Sequence, residues 1–144
     1  MEALWSKRAH RGPMDLLREA KFVAGQGIEG SVGPSSTRQV TIISLDAWRT
    51  MAKELGHEVD PIARRANVLV SGVALAHTRG RILRLGAVRI RLLGETRPCE
   101  RMDEAQPGMR AAMEHEWRGG VYGQVLDDGL VTVGDAVTVE PPIT

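Results

Sequence analysis

Ile82-Leu83-Arg84-Leu85-Gly86-Ala87-Val88-Arg89-Ile90-Arg91-Leu92 is the stretch that decides the fold. From Val88 to Leu92, apolar residues alternate with Arg89 and Arg91. Such alternation marks a strand with one buried and one polar face. Ile82, Leu83 and Leu85 form the run before it. Glycine at the first central position of Gly86-Ala87 suits a type II′ turn, so residues 81–92 are predicted to form a tight antiparallel hairpin.

Working outward, Val121, Gly123 and Val125 share a face, Asp128-Gly129 carries turn chemistry, and Leu130 to Val133 resumes an apolar run. This predicts a second hairpin over 121–133. Gly134-Asp135 makes another turn, Val137 and Val139 alternate in a last strand, and Pro141-Pro142 ends it. Arg38 to Leu45 is an almost continuous β-branched run, as expected of a strand covered on both faces. Val68-Leu69-Val70 is a further short strand. Sixteen glycines are spread between these segments, so the expected class is mainly β, a barrel or compact β-rich domain, and not an α/β layer.

Two helices interrupt the strands. Over 46–55, Trp48, Met51, Ala52 and Leu55 make one apolar face, with Ser44 or Asp46 to cap the start and Gly56 the end. Over 107–116, Pro107 suits a first helical turn, and Met109, Ala112 and Met113 form a stripe of core character.

The length of 144 residues fits one domain over 1–144. Nineteen basic against eighteen acidic residues give a net charge of +1, which excludes the basic balance of a dedicated nucleic-acid binder. Aromatics are 3% of the chain, too few for a base-stacking platform. No apolar run reaches the ~18 residues of a membrane span. The first residues lack the pattern of a signal peptide. Cys99 is the only cysteine, so no internal disulfide forms, and a cytoplasmic location is expected.

Gly25-Gln26-Gly27-Ile28-Glu29-Gly30 is formally GxGxxG. A dinucleotide fingerprint needs a helix to begin at those glycines, and Ser31-Val32-Gly33-Pro34-Ser35-Ser36 is loop. His10, His57, His77 and His115 lack ligand spacing, and one cysteine does not build a structural zinc site. Adjacent acids at 103–104 and 127–128 have the composition of solvated turns.

Cys99 lies in the polar stretch Glu95-Thr96-Arg97-Pro98-Cys99-Glu100-Arg101-Met102. Guanidinium groups at Arg97 and Arg101 favour thiolate over thiol, and Pro98 stiffens the approach. The same residues are compatible with a half-buried bystander.

The ordered set Arg38-Gln39-Val40-Thr41-Ile42-Ile43, Arg64-Arg65-Ala66-Asn67-Val68-Leu69-Val70-Ser71-Gly72, Gly86, Pro98-Cys99, Met102, Pro107-Gly108, Trp117-Arg118-Gly119-Gly120-Val121-Tyr122-Gly123 and Gly134-Asp135 resembles the MOSC family. This is the C-terminal domain of molybdenum cofactor sulfurases, also found as small stand-alone bacterial proteins. The resemblance covers about residues 20–140. It implies a MOSC-type β-barrel with a few short helices. It also implies that Cys99 either carries sulfane sulfur as a persulfide or ligates the metal of a molybdopterin-type molybdenum cofactor. Some relatives reduce N-hydroxylated compounds with that cofactor. Pyridoxal phosphate is associated with the family through the sulfurase domain fused to some members. One departure is visible: Gly30 is followed by Ser31-Val32-Gly33-Pro34, where many stand-alone members have an acidic, His-containing stretch.

A phosphate-bearing ligand calls for fixed cations and close backbone. Candidates are Arg89 and Arg91 on the polar strand face, the cluster Arg64, Arg65 and Asn67, and Gly119-Gly120, where backbone approaches closely. Each has a bland alternative: a solvated face, a capped turn, or a bend where a strand begins. The expected partners are a sulfur donor such as a cysteine desulfurase, or an electron-donor protein, with no nucleic acid and no membrane. The functional alternatives are sulfur handling or molybdenum cofactor binding through Cys99, reduction of N-hydroxylated compounds, and a non-catalytic binding module.

Overall fold

The computed structural model describes residues 1–9, 12–31, 37–98, 101–105 and 107–141. Eleven strands occur among them: β1 Ala3–Lys7, β2 Met14–Leu17, β3 Glu19–Val23, β4 Gly27–Ile28, β5 Val40–Ser44, β6 Val68–Val70, β7 Ile82–Leu85, β8 Val88–Glu95, β9 Val121–Val125, β10 Gly129–Thr132 and β11 Val137–Val139. Three helices accompany them: α1 Leu45–Leu55, α2 Arg101–Ala105 and α3 Met109–Met113, with 3-10 turns at Pro61–Arg64 and His115–Trp117.

The large sheet runs β11-β7-β8-β9-β5-β6-β1-β2, and β10-β3-β4 forms a smaller one. Among the described residues, only β5 and β6 pair in parallel. The sheets curl together into a mainly β, barrel-like body. Val133 N donates to Arg18 O at 2.9 Å, Gly25 N to Val125 O at 2.9 Å, and Gly134 N to Met1 O at 2.9 Å.

The hairpin at 82–95 matches its period-2 reading. Leu85 pairs with Val88, and β8 buries Val88, Ile90 and Leu92 while exposing Arg89 and Arg91. Gly86 has φ +59° and Ala87 has no positive φ, as a II′ turn requires. A register shift between Leu92 and Gly94 interrupts the β8–β9 ladder, the kind of irregularity that bends a strand end.

The predicted hairpin at 121–133 is corrected. Both strands exist, but β9 pairs with β5 and β8, and β10 pairs with β3. The turn residues explain the difference. Asp127 Oδ2 accepts from Arg89 N at 3.0 Å, and Asp128 Oδ1 accepts from Ala24 N at 2.7 Å. The acids that signal a tight turn are spent on other strands, and the chain crosses to the small sheet.

Helix α1 is capped by Ser44, whose Oγ accepts from Ala47 N at 3.2 Å, and Gly56 closes it. The helix expected over 107–116 is shorter. Gly108 occupies the N-cap, so Pro107 precedes the helix instead of lying in its first turn, and regular structure is broken at Glu116, with φ 47° and ψ 39°. Helix α2 and the N-terminal strands β1 and β2 had no periodic signal. In the Gly25–Gly30 stretch, Gly25 and Gln26 belong to the turn after β3, Gly27–Ile28 is β4, and no helix begins there.

β5 and β6 divide the core. Ile42, Val68 and Val70 face the barrel interior with Leu4, Phe22, Leu83 and Ile90. Ile43 and Leu69 face the helices with Trp48, Met51, Met109 and Met113. Two-sided burial is why this region reads as an unbroken apolar run. Among the described residues, no helix is long and apolar enough to cross a membrane.

Gln39 is a buried polar member of this frame, and its Oε1 accepts from Val125 N at 2.9 Å. Gln39→Leu leaves that buried donor without its acceptor. Chemical denaturation is expected to show a loss of about 1–3 kcal/mol with an unchanged denaturant slope.

Candidate functional site

The segment leading to Cys99 is held by one side chain from a distant part of the chain. Asp60 caps the Pro61–Arg64 turn, its Oδ1 accepting from Ile62 N at 3.0 Å, and Arg64 projects from the last position. Arg64 Nε donates to Gly119 O at 2.9 Å, while one terminal nitrogen donates to Thr96 O at 3.0 Å and Arg97 O at 3.4 Å. A guanidinium suits this task because its donors are fixed in a planar fork. Thr96 N donates in turn to Gly120 O at 2.8 Å.

The glycine pair makes this approach sterically feasible. A Cβ on Gly119 would lie 2.4 Å from Thr96 O, and one on Gly120 would lie 2.3 Å from Ile42 O. Gly120 also has φ +97°. Backbone does come close at both glycines, and the partners seen are Thr96 and Ile42.

Cys99 and Glu100 lie outside the described residues, as does the side chain of Arg101. Pro98 is buried, whereas the Arg97 side chain is 88% exposed, its Nε 3.9 Å from a Glu95 oxygen. A cleft of about 360 Å³ opens here between Glu95, Arg97, Pro98, Arg110 and Glu114. Among the described residues, two guanidinium groups and two carboxylates line it. The Thr96 hydroxyl is buried without a hydrogen-bond partner among the described residues.

The remaining candidates are dispersed. Asn67 holds strands together: its Oδ1 accepts from Thr41 N at 3.0 Å, and its Nδ2 donates to Trp5 O at 3.3 Å. Arg89 makes a two-pronged pair with Asp127 at 2.9 and 3.0 Å. That hydrogen-bonded pair holds the Asp127 carboxyl below its usual range. Arg91 is exposed on the same face. Six residues of β8 lie between Arg89 and Thr96, a span of roughly 23 Å at the rise of an extended strand.

Arg65 points away from Arg64. Its guanidinium donates to Gly12 O at 2.6 Å, and its charge acts on the ammonium of Lys7, the last residue of β1. Lys7 carries no sequence signal, because it lies 58 positions from Arg65 and only the β1–β6 pairing brings them together. Burial, then the Arg65 charge, holds the Lys7 ammonium below its ordinary range. Lys7 N also receives the first residue of the divergent loop, donating to Ser31 Oγ at 2.9 Å. Val32 to Ser36 lie outside the described residues.

The sequence matches the MOSC domain over residues 8–138, and the chain belongs to that family. Its fold is similar to that of the YuaD protein of Bacillus subtilis, with a TM-score of 0.78, 22% identity, and coverage of 96% of this chain and 93% of that one. YiiM from Geobacillus stearothermophilus superposes with a TM-score of 0.76 at 13% identity, covering 96% of this chain and 73% of YiiM. YiiM from Escherichia coli gives 0.71 at 18% identity, covering 100% and 72%. At these identities the likeness is one of fold. No curated protein matches by sequence.

The charge of Arg65 acting on Lys7 has a measurable consequence. Lys7 should release its proton at lower pH than an ordinary lysine, and Arg65→Gln should move that titration upward, as read from the Lys7 side-chain NMR signals. Because the folded-state value is lowered, the unfolded chain binds more protons between the two values. Stability therefore rises with pH from the folded Lys7 value to that of a free lysine, about 10.4.

Proposed function

We propose that this MOSC domain handles sulfur through the thiolate of Cys99, acting as a sulfur carrier. The observation that supports this reading is the Arg64 fork, which fixes the two carbonyls at Thr96 and Arg97 immediately before Pro98-Cys99. A nucleophile on a braced backbone meets its partner with little reorganisation. Positive charge from arginines favours the thiolate, the form that accepts sulfur.

The transfer balances without an external oxidant or reductant. The Cys99 thiolate attacks the terminal sulfur of a donor persulfide. A new S–S bond forms on Cys99, the donor's S–S bond breaks, and the donor leaves as its thiolate. A cysteine desulfurase is the proposed class of donor.

The family is also associated with the molybdenum cofactor, and one observation favours its binding here. Lys7 and Arg65 are two half-buried cations whose charges act on each other, and Ser31 Oγ accepts from the Lys7 backbone N. Such a pair is relieved by an anion, so the donor set fits a phosphate group. Many stand-alone relatives have an acid after the early glycine, whereas Ser31 leaves the pair cationic. In this reading Lys7 and Arg65 hold the phosphate and Cys99 supplies a soft thiolate ligand. The bound cofactor would supply two-electron chemistry at molybdenum, as reduction of N-hydroxylated compounds requires, with electrons from a partner protein.

Protein purified from its own host is expected to carry a Cys99 mass gain of one sulfur atom after incubation with a persulfide donor, and Cys99→Ser to lose it. Metal and pterin content of the same sample tests the cofactor reading. Arg64→Lys keeps the charge but not the fork. It is expected to slow Cys99 alkylation several-fold while leaving the midpoint of the alkylation pH profile near that of the parent. Arg64→Met should move that midpoint upward as well. An unchanged rate in both variants would remove Arg64 from the site.

A further inference from the structure

A second cavity, of about 390 Å³, lies where the parallel strands β5 and β6 end. Its walls come from the first turn of α1, from residues 72–76, and from Glu116 and Trp117. The volume suits a small organic molecule.

The lining has a consistent chemistry. Ala47, Val73, Ala74, Ala76 and the Trp117 indole make it largely apolar, while Asp46 and Glu116 bring two carboxylates. Among the described residues, no lysine or arginine lines it. The N-terminus of α1 would ordinarily favour an anion. Here Ser44 already accepts from Ala47 N, and Asp46 places a negative charge in the first turn. Asp46 is fixed in place, its Oδ2 accepting from Gly72 N at 2.9 Å. Glu116 lies 3.6 Å from His77 Nε2, and the His77 ring stands 5.4 Å from the Trp117 ring.

The backbone around the cavity is held in an uncommon conformation. Four non-glycine described residues have positive φ, and three of them are His77, Glu116 and Trp117. Local preference does not favour that shape, so the surrounding fold imposes the placement of the indole and the carboxylate.

We propose that this cavity binds a small organic ammonium ion. Its charged head lies between Asp46 and Glu116, and its apolar body lies against Trp117 and the alanines. An aromatic face attracts a cation, and the carboxylates discriminate against neutral and anionic ligands of the same shape. The site shares no side chain with the Arg64 fork and does not rest on the role of Cys99.

The probe is benzylammonium chloride, with benzyl alcohol as its neutral counterpart. Binding is read by amide chemical shifts and by tryptophan fluorescence. Trp5 and Trp48 are buried, so a fluorescence response reports mainly on Trp117. The expected result is saturable binding with shifts concentrated at residues 72–76 and 116–117. The alcohol should bind at least about threefold more weakly, and Glu116→Gln should weaken the ammonium by a similar factor. Glu116 is exposed, so its substitution leaves the core intact. Cys99→Ser should bind the probe as the parent does, which separates this test from that of sulfur transfer. Equal binding of the alcohol, unchanged affinity in Glu116→Gln, shifts located elsewhere, or no saturation up to the solubility limit would each overturn the proposal.

Discussion

One guanidinium joins three pieces of backbone that the sequence keeps far apart. Arg64 reaches Gly119 on one side and Thr96 and Arg97 on the other. Without it, three carbonyls lose a charged donor, and hydrogen bonds to charged groups contribute about 1.5–3 kcal/mol each. The fork also couples elements that sheet pairing alone leaves loose. Beyond Glu95, β8 has ended, and Thr96 keeps one backbone bond, its N donating to Gly120 O at 2.8 Å. The bulge after Leu92 turns the strand end, the fork fixes where it stops, and Cys99 follows two residues later. The glycine pair is part of the same constraint, since any side chain at 119 or 120 would occupy the space where the segments meet.

The arginines of the candidate list have therefore become different things. Arg64 is a brace for carbonyls. Arg89 joins the start of β8 to the crossing between β9 and β10 through Asp127. Arg65 is turned toward β1, where its neighbour is another cation. Sequence adjacency of Arg64 and Arg65 says nothing of this division. It follows from the left-handed turn at Arg65, φ 62°, which sends consecutive side chains in different directions. Burial of like charges is unfavourable unless a counter-charge arrives, and this separates Lys7, which feels the charge of Arg65, from cations such as Arg8 and Arg89 that pair with carboxylates.

What was legible in the sequence was local. The alternation at 88–92, the glycine at 86, the cap at Ser44 and the methionine stripe of α3 each depend on residues within a few positions. They read correctly because half-buried strands and amphipathic helices impose a period. The β9–β10 pairing was not legible, because Asp127 and Asp128 carry turn chemistry whichever strand their carboxylates bond. The family resemblance was legible as an ordered set of short motifs, and it pointed to Cys99. The partnership of Lys7 with Arg65 and the setting of Trp117 were not, since each joins side chains from separate elements. Positive φ at Glu116 and Trp117 has no sequence mark, because neither residue favours that conformation.

The turn between α3 and β9 shows how such a conformation is sustained. Positive φ at Glu116 and Trp117 costs on the order of 1–3 kcal/mol per residue. Several bonds offset it. Gly120 N donates to Trp117 O at 2.9 Å, Arg118 N donates to His115 O at 3.0 Å, and the Arg118 guanidinium donates to Ala112 O at 3.1 Å while pairing with Glu54 of α1. Arg64 holds the following carbonyl. Arginines thus grip the turn on both sides, and the segment between them carries two consequences at once. Its Gly119 end positions the approach to Cys99, and its Trp117 end walls the cavity above β5 and β6. A single rigid turn serves both because the strain at one end is balanced by the hydrogen bonds at the other, which makes its geometry a property of the whole fold and not of its own sequence.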